Sequence, residues 1–261
     1  MTNNGHFSSH ILKRENIFIF FVLLFLIVFS WSYIFYINKS MAQDPMQQME
    51  EMAYPQMTPF GLKDFFSIFI MWSFMMIAMM LPSAIPMILV FAAFYKKKAI
   101  EGKQFVPTWM FLSGYISIWV LFSLIAAILQ VLFHNFALIS SRLKLINPYV
   151  GGSLLIAAGI YQLTPLKSSC LKNCQTPLNF IMENWRYGKK GALIMGFKHG
   201  FYCVGCCWVL MLLLFAAGVM NILWIALIAL FIFTEKIIAK GRWINYISGI
   251  ALILFGLGMI M

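Results

Sequence analysis

The chain has 261 residues, of which 62% are hydrophobic and only 10% charged, against about 25% charged in an ordinary soluble domain. Several apolar runs reach the roughly 20 residues needed to cross a bilayer, which excludes a soluble globular fold and predicts a multi-pass membrane protein. The net charge of +11 falls between those runs, where it acts as a topology signal and argues against a nucleic-acid partner.

Residues 1–16 are polar, with Lys13 and Arg14 ahead of an apolar run from Ile17 to Ile37. Ser40-Met41-Ala42 resembles a signal-cleavage site, but the run is longer than a signal core of about 7–15 residues, which favours a retained helix. Either reading places the loop from Asn38 to Lys63 outside. That loop carries Met41, Met46, Met49, Met52 and Met57. Thioethers of this kind can collect Cu(I), although methionine is first an adaptable apolar filler.

A second span, about Phe65 to Tyr95, contains MWSFMMIAMMLPSAIPM. Met71, Met75 and Met79 form one stripe at helical spacing, with Met76 and Met80 beside it. Pro82 and Pro86 each remove a backbone donor, so a kinked, broken helix lining a cavity is expected. Met75, Met76, Met79 and Met80 are secondary ligand candidates there; the plainer alternative is a proline kink packed with methionines.

Lys96, Lys97, Lys98 and Lys103 mark an inner loop, followed by a third span from about Phe105 to Phe133. His134 reads as interfacial, at the start of an outer loop. The fourth span runs from about Pro148 to Leu166, and residues 167–190 form the longest inner loop, with Cys170 and Cys174 at its start. Gly191 to Met220 makes the fifth span, Ile222 to Ile238 the sixth, and Trp243 to Met261 the seventh. Fourteen lysines and arginines then fall on the inner side and four on the outer side, which predicts an N-in, C-out all-helical bundle of about seven spans. Residues 1–63 read as a membrane anchor with its extracytoplasmic loop, and residues 64–261 as a six-helix membrane domain in a prokaryotic plasma membrane.

The chemistry concentrates in KHGFYCVGCCWVLM, residues 198–211. On a helix His199, Cys203 and Cys206 share one face, and Cys207 lies at its edge. Imidazole and thiolate together suit Cu(I) or zinc. The topology puts Cys170 and Cys174 at the same cytoplasmic depth, where thiols stay reduced. Gly196 and Gly200 form a small-x-x-x-small pair, which offers room for that second cysteine pair to complete the site. Glu235 is a fifth secondary candidate, as a hard ligand or a partner of His199, although pairing with Lys236 is the favoured reading. The bland alternative treats the cysteines as small packing residues.

AMMLPSAIPM, AAGIYQLTPLKSSCLKNCQTPLNF and KHGFYCVGCCWVLM together resemble an uncharacterised prokaryotic family of predicted metal-binding integral membrane proteins, over about Ser67 to Gly258. The resemblance implies a metal-binding membrane protein and no particular ion or reaction. The expectation is therefore a metal-handling protein for transport or delivery of Cu(I) or Zn(II). Its ligands would be His199, Cys203, Cys206 and Cys207, with Cys170 and Cys174 completing or gating the site. Two alternatives stand beside it: a structural or assembly subunit of a membrane complex, and a thiol-redox protein using Cys206-Cys207 or Cys170-x-x-x-Cys174. No phosphate-cradling loop or nucleophile triad appears, so ATP-driven pumping and serine hydrolysis have no support.

Overall fold

The computed structural model describes residues 4–42, 61–100, 106–135, 148–238 and 242–261. Among these, all regular structure is helical: α1 (Asn4–Ala42), α2 (Leu62–Ile100), α3 (Trp109–Asn135), α4 (Pro148–Leu163), α5 (Pro165–Gln175), α6 (Pro177–Glu183), α7 (Gly188–Ala217), α8 (Ile222–Ile237) and α9 (Arg242–Ile260). The methionine-rich loop from Met46 to Met57 lies outside the described residues.

Among the described residues, five segments are long and apolar enough to cross a membrane: Ile17–Ser40, Leu62–Lys96, Trp109–His134, Gly188–Ala217 and Trp243–Ile260. The α4–α5 pair, bent by 64°, adds a sixth crossing if it is one span. Against the expectation of about seven spans, the described residues therefore supply five such helices, or six with the bent pair. Helices α4 and α8 have only 16 residues each, about 24 Å of helix against a hydrocarbon core of about 30 Å.

Local sequence explains where these helices stop. Thr164 caps α5 by accepting from the Lys167 amide, and Pro165 occupies the first turn, where its missing N–H costs nothing. The same Thr-Pro pairing starts α6 at Thr176-Pro177. Between α7 and α8, Gly218 turns at φ 99° and Asn221 accepts from the amides of Leu223 and Trp224. Left-handed backbone at Gly218 and an asparagine cap make this a true break. Asn38 donates to the Met220 carbonyl at 2.7 Å, fastening α1 to that turn.

Helix α2 corrects the expectation of a broken span, because it continues through Pro82 and Pro86 as one helix. The Met80 carbonyl, next to the prolines, accepts from the hydroxyls of Ser83 at 2.9 Å and Tyr115 at 3.1 Å.

Helices α2 and α7 are the interior pair: 56% of the most apolar window of each is buried, against 17% for α1 and α9. Gly196 and Gly200 permit close approach, but of α3 rather than of the Cys170–Cys174 segment. A Cβ on Gly196 would run into the Phe111 carbonyl oxygen, and one on Gly200 would meet Ile118 Cβ at 2.9 Å. Helices α4 and α9 meet the same way: a Cβ on Gly159 would come within 2.6 Å of the Gly249 carbonyl oxygen, and one on Gly256 within 2.7 Å of the Gly152 carbonyl oxygen. Such backbone-to-backbone contact is how helices associate where lipid removes the hydrophobic drive between them. Phe18, Phe25, Phe201 and Ile247 remain exposed outside the bundle.

Candidate metal centre

The interior face of α7 carries the thiols. Cys203, Cys206 and Cys207 are all buried, and all five cysteines are free. Cys206 and Cys207 donate to the Cys203 carbonyl at 3.1 and 3.0 Å, so in this arrangement both thiols turn back onto their own helix. Cys207 Sγ also lies 3.8 Å from Met80 Sδ on α2. Cys203 Sγ is 3.3 Å from the Tyr115 hydroxyl on α3 and accepts from Lys236 Nζ on α8 at 3.0 Å. The same ammonium donates to Ser83 Oγ at 2.9 Å and stands 4.0 Å from Met80 Sδ. Four helices thus deliver two thiols, a thioether, a phenol and an ammonium to one buried point.

The second cysteine pair arrives from α5. Cys174 is half-buried and packs against the core that contains Cys203 and Cys206. Cys170 packs on α7 at Gly205, where a Cβ would come within 2.9 Å of its sulfur. Tyr161 donates to the Gly205 carbonyl beside it. Gly205, rather than Gly196 or Gly200, is the position that admits the second pair.

His199, one turn before Cys203, is 3% exposed. Its ring stacks on Phe111 and Tyr115, with centroids at 5.9 and 5.5 Å, and meets the edge of Phe180 at 5.4 Å. Its Nδ1 is buried with no hydrogen-bond partner, a costly condition for a polar atom. Among the methionines, Met80 brings its sulfur to the thiols, while Met71, Met75, Met76 and Met79 are buried core side chains.

Glu235 departs from expectation. It pairs with Lys167 at 2.8 Å, not with Lys236. Gln162 joins them, accepting from Lys167 and donating to Glu235 at 3.0 Å and to Ser248 at 3.0 Å. Gln175 donates to the Glu235 carbonyl at 2.7 Å. Neighbouring residues on a helix diverge by about 100°, so Glu235 and Lys236 serve different partners. Lys167 and Lys236, both counted toward the inner side by charge, are buried. Sequence reasoning missed Lys167, Gln162, Ser83 and Tyr115 altogether. The available signals were the adjacency of Glu235 and Lys236, which prevents their pairing, and a tyrosine within an apolar run.

Among the described residues, no three His, Cys, Asp or Glu side chains have a geometry that could hold a metal ion. A full Cys/His zinc set is therefore not formed here. The sulfur grouping of Cys203, Cys207 and Met80 is different, since two thiols and a thioether suit a soft monovalent ion.

Comparison with known proteins bears on the same ion. The searches of curated proteins and of solved structures returned no match. One family model, described as PpoB2 copper chaperone, matches residues 69–259. The matched region takes in every cysteine, His199, Met80 and Lys236. With most of its length so matched, the chain belongs to the PpoB2 copper chaperone family.

Proposed function

We propose that this protein is a membrane-embedded Cu(I) chaperone that holds its cargo on Cys203, Cys207 and Met80 and releases it to a client by ligand exchange. The observation that carries the reading is the buried meeting of Cys207 Sγ with Met80 Sδ, beside Cys203, at the junction of α2, α3, α7 and α8. Copper-chaperone family membership supports the cargo, and the five long apolar helices support the membrane setting.

Two thiolates and a thioether give Cu(I) a soft, low-coordinate site. Such a site binds without demanding a four-ligand cage, and it leaves the ion open to an incoming sulfur donor. Cys206, Cys174 and Cys170 continue the set of thiols toward α5, where Cys170 and Cys174 are both half-buried. Copper would leave by stepwise exchange along these thiols, with each sulfur gaining the ion as the previous one loses it. His199 adds a nitrogen donor one turn away, with its bare Nδ1 available once the ring turns.

Detergent-purified protein, loaded under reducing conditions against a Cu(I)-specific chelator, should bind about one equivalent of copper. The Cys203→Ser/Cys207→Ser variant should bind about 100-fold more weakly, in line with the sensitivity of metal sites to their ligands. Equal binding by the variant would refute the assignment.

A further inference from the structure

Among the described residues, the cation beside the thiols is paired with no carboxylate. The carboxylate adjacent to it in sequence, on Glu235, is already held by Lys167 and Gln162. Lys236 instead donates to Cys203 Sγ and Ser83 Oγ and is 7% exposed. An uncompensated charge in a buried site is expensive, so net charge decides which ion is tolerated there. Building on the chaperone reading above, we propose that Lys236 is a specificity-determining residue that makes the site select a monovalent metal ion over a divalent one.

The charge count is direct. Cu(I) on the thiolates of Cys203 and Cys207, with neutral Met80, leaves the complex at −1, and the Lys236 ammonium brings it to zero. A divalent ion on the same donors is neutral by itself, so the ammonium leaves the site at +1. Without Lys236 the preference inverts: the divalent complex becomes the neutral one and the Cu(I) complex carries an uncompensated charge. Lys236 need not touch the metal. Its position 3.0 Å from Cys203 Sγ and 4.0 Å from Met80 Sδ is close enough for a unit charge to matter strongly at low effective dielectric.

The test compares affinities for Cu(I) and Cd(II), each delivered from a chelator buffer, in the full-length protein and its variants. Lys236→Gln should lower the ratio of Cu(I) to Cd(II) affinity about tenfold or more, and Lys236→Arg should keep the ratio of the unaltered protein. If Lys236→Gln does not fold, Ser83→Asp decides the question by placing a carboxylate against the ammonium. That change cancels the charge without removing the lysine, and the ratio should fall again. An unchanged ratio in whichever of these two variants folds overturns the proposal while leaving copper binding intact. Absence of thiol-dependent Cu(I) binding by the unaltered protein would instead overturn the chaperone reading itself.

Discussion

Two buried lysines lie near the same end of α8's interior, and they are treated in opposite ways. Lys167 is fully buried and locked to both oxygens of Glu235 at 2.8 Å, with Gln162 completing its shell. Lys236 faces a thiol, a hydroxyl and a thioether. The first arrangement is closed: every charge has its partner, and it ties the α4–α5 bend to α8 and, through Ser248, to α9. The second is open, with a positive charge and soft donors at one point. A closed network holds helices in place, whereas an open one leaves a requirement that an anionic complex can meet.

Breaking the closed network should have the largest effect. Glu235→Ala strands the Lys167 ammonium in the interior and should cost about 3–5 kcal/mol of stability, the usual penalty for a buried charge stripped of its partner. Thermal unfolding in detergent measures it, and the fraction that stays folded should bind copper with unchanged stoichiometry. Loss of copper from folded Glu235→Ala protein would show that the two networks are one. Opening the thiol site instead, with Cys203→Ser/Cys207→Ser, should cost about 100-fold in Cu(I) affinity and leave the unfolding temperature nearly unchanged.

Smaller effects sharpen the division. Met80→Leu keeps volume, so stability should fall by less than about 1.5 kcal/mol, while Cu(I) affinity should drop about tenfold as one sulfur is lost. The pairing of these two readouts separates Met80 from core methionines such as Met76, whose leucine variant should leave copper affinity as it was. Gly205→Ala should be the mildest, costing about 1 kcal/mol as the added methyl pushes the Cys170 sulfur aside. It should slow copper release to an acceptor thiol more than it alters equilibrium binding.

What the sequence could disclose follows from how local each feature is. The face joining His199, Cys203 and Cys206 needs only helical spacing, and the structure keeps that face buried on α7. Met80 was visible as one of a stripe but indistinguishable from Met76, because the two share one face and choosing between them requires knowing at which turn of α2 the thiols of α7 lie. The partner of Lys236 was hidden for the same reason, since Cys203 is 33 residues away. The unbroken course of α2 runs against the local reading of Pro82 and Pro86, which sees only two missing amide donors. The end of α4 was blurred, because the span was read to Leu166 across the Thr164-Pro165 cap that stops the helix at Leu163, whereas the start of α8 at Ile222 was legible from the Gly218–Asn221 turn.

The central claim is that copper sits on sulfur at the meeting of α2 and α7. X-ray absorption at the copper edge, on Cu(I)-loaded full-length protein, tests it most directly. The account predicts a Cu(I) edge with a first shell of two to three sulfurs, losing one sulfur in Met80→Leu. A shell dominated by nitrogen or oxygen, or one unchanged in Cys203→Ser/Cys207→Ser, would contradict it.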